Sequence, residues 1–301
     1  MQLEATCRTV VRAVSALVVI GVVAACSSST GTNSSATLSD AQINTDLAGA
    51  AGVSATTQGD EFVTQDSEAG AAGRIVGRRG PSALALPMRR TRAEGGCTTG
   101  SFNGTIVFPA SMLDTASISQ TWEFFAAGVC ENAYVSGTTD SIVFSSTTTA
   151  ELHTANGFGS THHEDTRSNW VTGSPALSSA TTRVWNGFED GVDTISISGD
   201  ISESRVYDAA ASDTLVNVTY PHPLDGAVYP VSGSYNRWVA ASVTYSGPTT
   251  GSKQVARHIV ITFNGNEVVP IVVYDASSGA VDLSCQFDLG LGVIVAGSCS
   301  T

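Results

Sequence analysis

Alternation of apolar and polar residues dominates the chain beyond residue 100. Phe102 to Phe108 places Phe102, Ile106 and Phe108 on one face. Ser141 to Leu152 is a long Thr- and Ser-rich run, and Thr194-Ile195-Ser196-Ile197-Ser198 alternates strictly. Leu215 to Tyr220, Tyr235 to Tyr245 and Val255 to Phe263 repeat the pattern. A period of two marks strands with one buried face, and β-branched residues suit that pleated surface. Asn186-Gly187 and Asn264-Gly265 are preferred hairpin turn pairs. A two-residue turn at Asn264-Gly265 would set Ile261 opposite Val268 and His258 opposite Ile271. Pro270 lacks an N–H and is expected at an edge or bulge. Val281 to Phe287 and Val293 to Cys299 are expected to form a last hairpin. Ser119 to Ala127 fits helix or strand equally. The fold class expected is all-β: an antiparallel sheet of long strands, as a curved sheet, sandwich or barrel.

The first hundred residues follow other patterns. Arg8 and Arg12 precede an apolar run from Ala13 to Ala25, too short to span about 30 Å of hydrocarbon as a helix. It has the dimensions of a signal-peptide core. The run ends in Val23-Ala24-Ala25-Cys26, which resembles the lipobox of bacterial lipoproteins. That resemblance implies cleavage before Cys26, lipid on its thiol, attachment to a membrane and residence in the cell envelope. Ser27 in place of aspartate favours the outer membrane by the same resemblance. Three segments are expected: 1–25 as signal peptide, 26–94 as a lipidated, flexible linker with a basic patch, and 95–301 as the β domain. Within the linker, Leu38 to Leu47 has the apolar spacing of a short helix capped near Ser39.

Charge and cysteines narrow the picture. The net charge is -13, and Lys253 is the one lysine. From Ala93 onward there are 20 acidic and 6 basic residues. Such a domain is a poor binder of nucleic acid, whose phosphates need a cationic surface. The arginines of the linker all fall between Arg74 and Arg92, where they form a patch suited to solvent or to anionic head groups. Cys97, Cys130, Cys285 and Cys299 remain after Cys7 leaves with the signal and Cys26 takes lipid. An even number in an exported chain reads as two disulfides, and the pairs favoured are Cys97–Cys130 and Cys285–Cys299. The second pair would lie opposite across a turn centred on Gly292.

Candidate chemistry is thin. His162-His163-Glu164-Asp165, with His153 upstream, has the residue types of a transition-metal site. Neighbours on a strand point to opposite faces, so both histidines could reach one ion only from a loop. Glu189-Asp190-Gly191-Val192-Asp193 has carboxylates for calcium but lacks the EF-hand pattern. No nucleophile elbow, zinc-protease or phosphate-loop motif occurs, and no cofactor is implied. Arg183-Val184-Trp185-Asn186-Gly187 and Tyr229-Pro230-Val231-Ser232-Gly233 resemble segments of uncharacterised bacterial lipoproteins built of Thr-rich antiparallel strands, which implies a fold and no activity. The expectation is a membrane-anchored, non-enzymatic β domain for structural, adhesive or binding contacts. Two other readings are kept: a lipid- or small-ligand-binding module lined by Trp122, Phe124, Phe125, Trp238 and Tyr245, and a metal-dependent hydrolase centred on His162 and His163.

Overall fold

In the computed structural model the described residues are 38–70, 89–92, 98–107, 115–131, 134–153, 159–198, 204–222, 229–247 and 250–301. One helix, α1 (Asp40–Gly70), comes first. The strands follow as β1 (Arg89–Arg92), β2 (Thr98–Val107), β3 (Thr115–Ala126), β4 (Val129–Glu131), β5 (Ser141–His153), β6 (Gly159–Thr172) and β7 (Thr182–Ser198). The remainder are β8 (Ser204–Pro221), β9 (Ser232–Ser246), β10 (Gly251–Thr262), β11 (Val268–Asp275), β12 (Val281–Asp288) and β13 (Val293–Ile294). Each described strand pairs antiparallel with its neighbour in sequence, except that β3 pairs with both β4 and β5. The result is a single 13-stranded meander, curved and unclosed, with β1 and β13 at its edges.

The all-β fold class expected from the alternation holds. Along β8 the residues Arg205, Tyr207, Ala209, Ala211, Asp213 and Leu215 are buried, and those between them face outward. Ser119 to Ala127 resolves as strand, since all but Ala127 belongs to β3.

Two turn expectations are corrected. Asn186-Gly187 makes no turn: β7 runs through it, with a bulge between Trp185 and Gly187. Asn186 accepts the Asn217 N–H at 2.8 Å, and a Cβ on Gly187 would meet Asn169 Oδ1 at 1.9 Å. The asparagine and the glycine thus serve a bulge and a close strand approach. Asn264-Gly265 does connect two strands, but through a longer loop. Ile261 faces Ile271 and His258 faces Tyr274, three residues away from the expected register. Pro270 is not at an edge or bulge as expected: it lies in β11, inside the sheet, opposite Gln286 of β12 and just past the last pair with β10.

The segment expected as a linker is corrected more fully. Residues 40–70 form α1, whose Ile43, Leu47, Ala48, Ala51 and Ala55 belong to the main apolar core. Ser39 caps it by accepting the Gln42 N–H at 3.2 Å, and Asp40 complements the dipole in the first turn. The buried stripe also includes Asn44, Gly52, Ser54 and Gln58. Small side chains let the helix lie close on the sheet's buried face, where Gly52 meets the ring of Phe287. Ile43 and Leu47 contribute about 1.5–3 kcal/mol each by burial. The boundary at residue 95 also shifts, because Arg89–Arg92 already pairs with β2.

The C-terminal hairpin forms, but shorter than expected: β13 spans only Val293–Ile294, and the pair Asp288–Val293 centres the turn between Gly290 and Leu291 rather than on Gly292. Ser284 bridges Ser300, and Cys285 is bonded to Cys299 beside them. Gly292, at φ +69°, returns its N–H to the Asp288 carbonyl at 2.8 Å. Cys130 is disulfide-bonded, while Cys97, its expected partner, lies outside the described residues.

Candidate functional site

The buried face of the sheet carries charge at its centre. Alternation along β6, β7, β8 and β9 turns Asp165, Arg167, Glu189, Asp193, Asp213, Tyr235 and Arg237 inward together, all buried. Arg167 pairs with Asp165 and reaches Glu189 at 2.7 Å. Arg237 pairs with Asp193 and reaches Asp213 at 3.0 Å. The Tyr235 hydroxyl donates to Asp213 at 2.5 Å. Burial lowers Arg237 to about 10, still protonated at neutral pH, and raises Tyr235 well above its ordinary value.

The helix α1 is tied to this face by polar bonds between Asp40 and Gln58. Asp40 pairs with Lys253, and Asn44 accepts Arg257 Nε–H at 2.6 Å. Asp46 takes Arg205 at 2.6 Å and the Tyr207 hydroxyl at 2.5 Å. Gln58 donates to Glu189 at 2.5 Å. Charge-assisted bonds of this kind fix position and register more than they add net stability.

The arginines are confined to the inner face, whereas carboxylates lie on both. Of the six basic residues after Ala93, all five arginines are buried, and Lys253 is bonded to Asp40. Glu151, Glu164, Asp190, Asp208 and Glu267 are exposed. The outer surface of the described β strands beyond residue 115 is therefore acidic and hydroxyl-rich. It also carries an aromatic row. Trp238 stacks on His258 at 4.0 Å and 6°, and His258 on Tyr274 at 5.6 Å. Burial in that stack lowers the His258 pKa.

The residues singled out by sequence do not gather into one centre. His162 to Asp165 lies within β6 rather than a loop. His162 and Glu164 are on its outer side, where His162 bonds Glu151 and, at 3.4 Å, Glu164. Those bonds, Glu151 first, raise the His162 pKa. Asp165 faces inward to Arg167. The side chain of His163 is outside what is described. Glu189 and Asp193 face inward while Asp190 faces outward, so the acidic run is split across the strand. His222 lies beside Arg183, with ring Nε2 and guanidinium 3.2 Å apart. Trp122 and Phe124 are core residues, and Tyr245 packs near Gly251. Among the described residues no group of three His, Cys, Asp or Glu side chains converges to hold a metal ion, and no helix is long and apolar enough to cross a membrane.

Asp46, Asn44 and Gln58 went unnoticed in the sequence, as did the inward arginines. The signal for the arginines was present: Arg237 shares a face with Tyr235 and Val239 by alternation alone. Comparison of the chain with protein-family models, with curated proteins and with solved structures found no significant match to any of them.

Proposed function

We propose that this chain is a lipid-anchored protein of the bacterial cell envelope whose β domain works by contact rather than catalysis. The observation that carries the reading is the run Val23-Ala24-Ala25-Cys26 at the end of a short apolar core behind Arg8 and Arg12. Lipid on Cys26, with acylation of the new amine, would supply the two or more chains that stable anchoring needs. The β domain supports a contact role in two ways. Its buried face, where a curved sheet would hold a small ligand, is occupied by α1. Its outer face offers carboxylates, hydroxyls and the row of Trp238, His258 and Tyr274. The acidic exterior disfavours anionic partners such as nucleic acid.

Mass spectrometry of the membrane fraction tests this reading. The expected mature N-terminus is a Cys26 carrying diacylglycerol, with residues 1–25 absent. Cys26→Ala is expected to leave the precursor uncut. An unmodified Cys26, or a cut elsewhere, overturns the proposal.

A further inference from the structure

From the packing of α1 we infer that the protein stands on its membrane in one preferred sense, with the rim formed by the start of β8, the end of β9 and the start of β10 toward the bilayer. The inference rests on the lipid anchoring proposed above. The helix begins at that rim: Asp40 pairs with Lys253, and Asn44 and Asp46 bond Arg257 and Arg205. Ser204 faces Ser246 and Gly251 faces Tyr245 there. Cys26 precedes Asp40 by fourteen residues. Chain length alone therefore limits the distance between them to about 50 Å, fully extended. Had residues 26–94 all been linker, the same limit would be about 240 Å, long enough to erase any orientation.

The opposite rim lies a strand length farther away. From Ser252 to Thr262 along β10 is about 35 Å. That far rim is built as a surface. Phe263 donates its N–H to Gly233 at 3.0 Å, Gly265 to Pro230 at 2.8 Å, and Leu289 to Glu267 at 2.9 Å. The three loops are thus bonded in series. Val231, Val268 and Leu291 are exposed on them. In this orientation these apolar tips point away from the anchoring membrane.

Energy transfer to the bilayer tests the orientation. Full-length lipidated protein is reconstituted in phosphatidylethanolamine–phosphatidylglycerol vesicles containing a rhodamine-labelled lipid. A fluorescent amino acid is placed at position 252 or at position 266, both exposed. Transfer from position 252 is expected to exceed that from position 266 by about twofold or more, given the strand-length separation. Inserting twenty Gly and Ser residues between Ser35 and Ala36 is expected to shrink the difference while leaving the fold alone. Equal or reversed transfer with Cys26 shown lipidated by mass overturns the orientation alone. A protein without lipid on Cys26 overturns the anchoring and the orientation together.

Discussion

Asp46 on α1 accepts the Arg205 Nε–H at 2.6 Å, and both side chains are more than nine-tenths buried. Tyr207 donates to the same carboxylate at 2.5 Å. Burial by itself would lower the Arg205 pKa, and the bonds from Asp46 more than offset it, so the arginine stays charged. Asp46→Ala takes the carboxylate away from a buried guanidinium. We expect a loss of about 3–5 kcal/mol, read as a lower urea midpoint. An unchanged midpoint would mean that α1 does not dock as described. Asp46→Asn keeps an acceptor and should lose less.

Gly49 and Gly52 of α1 should respond in opposite directions. A Cβ on Gly52 would sit 2.1 Å from the Phe287 ring, whereas one on Gly49 meets nothing within 4 Å. Gly52→Val is expected to cost about 1–3 kcal/mol by overpacking. Gly49→Ala should gain about 0.5–1 kcal/mol from helix propensity. Thermal melts of the two variants against the parent decide the matter.

Removing the Cys285–Cys299 bond releases a loop with a sequence separation of 14. Cys285→Ser with Cys299→Ser should cost about 3 kcal/mol. Intact mass before and after alkylation under non-reducing conditions checks the bond itself, and denaturation checks its effect.

The histidines should titrate apart. Hydrogen bonds to Glu151 and then Glu164 raise His162, while burial lowers His258. A raised folded value favours the protonated form of the native state. Stabilisation from His162 is therefore full below the unfolded value of about 6.5 and fades as pH rises through the folded one. For His258 the native state favours the neutral ring, so its contribution is present above the unfolded value and fades as pH falls. Ring-proton NMR should place His162 above 6.5 and His258 below it, and Glu151→Gln should move only the first downward.

The outer face should report acid through its fluorescence. Trp238 stacks on His258, so protonating that ring in acid should change the fluorescence of Trp238. Comparing the parent with His258→Phe across the pH range isolates the signal. An identical pH profile in both proteins would show that the stack is absent in solution.

The strands were legible because each needs one side buried, and alternation writes that need directly into runs such as Thr194 to Ser198. The pairing of Cys285 with Cys299 was expected from a turn centred on Gly292; the strands instead pair about Gly290 and Leu291, and the separate bridge of Ser284 to Ser300 brings the two cysteines together. The helix was legible only from its cap, Ser39, to Leu47. Its buried stripe continues as Ala48, Ala51, Gly52, Ser54, Ala55 and Gln58, residues with little contrast in hydropathy to the exposed ones, so a polar, Ala-rich stretch looks like linker. The Asn186-Gly187 bulge failed for a different reason. Local turn preference was outweighed by the long ladders that β7 makes with β6 and β8 on either side. The candidate centre was the least legible part, since inward arginines find their carboxylates only after the register between strands is set.

The meander and the helix differ in when they can form. Nearly every described strand pairs with one adjacent in sequence, so each hairpin closes a short loop and can zip onto the last as the chain grows. The bonds of α1 are of another order: 131 residues separate Gln58 from Glu189, 159 separate Asp46 from Arg205, and 213 separate Asn44 from Arg257. Synthesis starts at the N-terminus, so α1 is made first and must wait for almost the entire sheet. Until α1 docks, Arg205 lacks Asp46 and Arg257 lacks Asn44, whereas Arg167 and Arg237 already have carboxylate partners within the sheet. Docking of α1, whose partners lie so far along the chain, is therefore expected to complete the fold by covering Arg205 and Arg257.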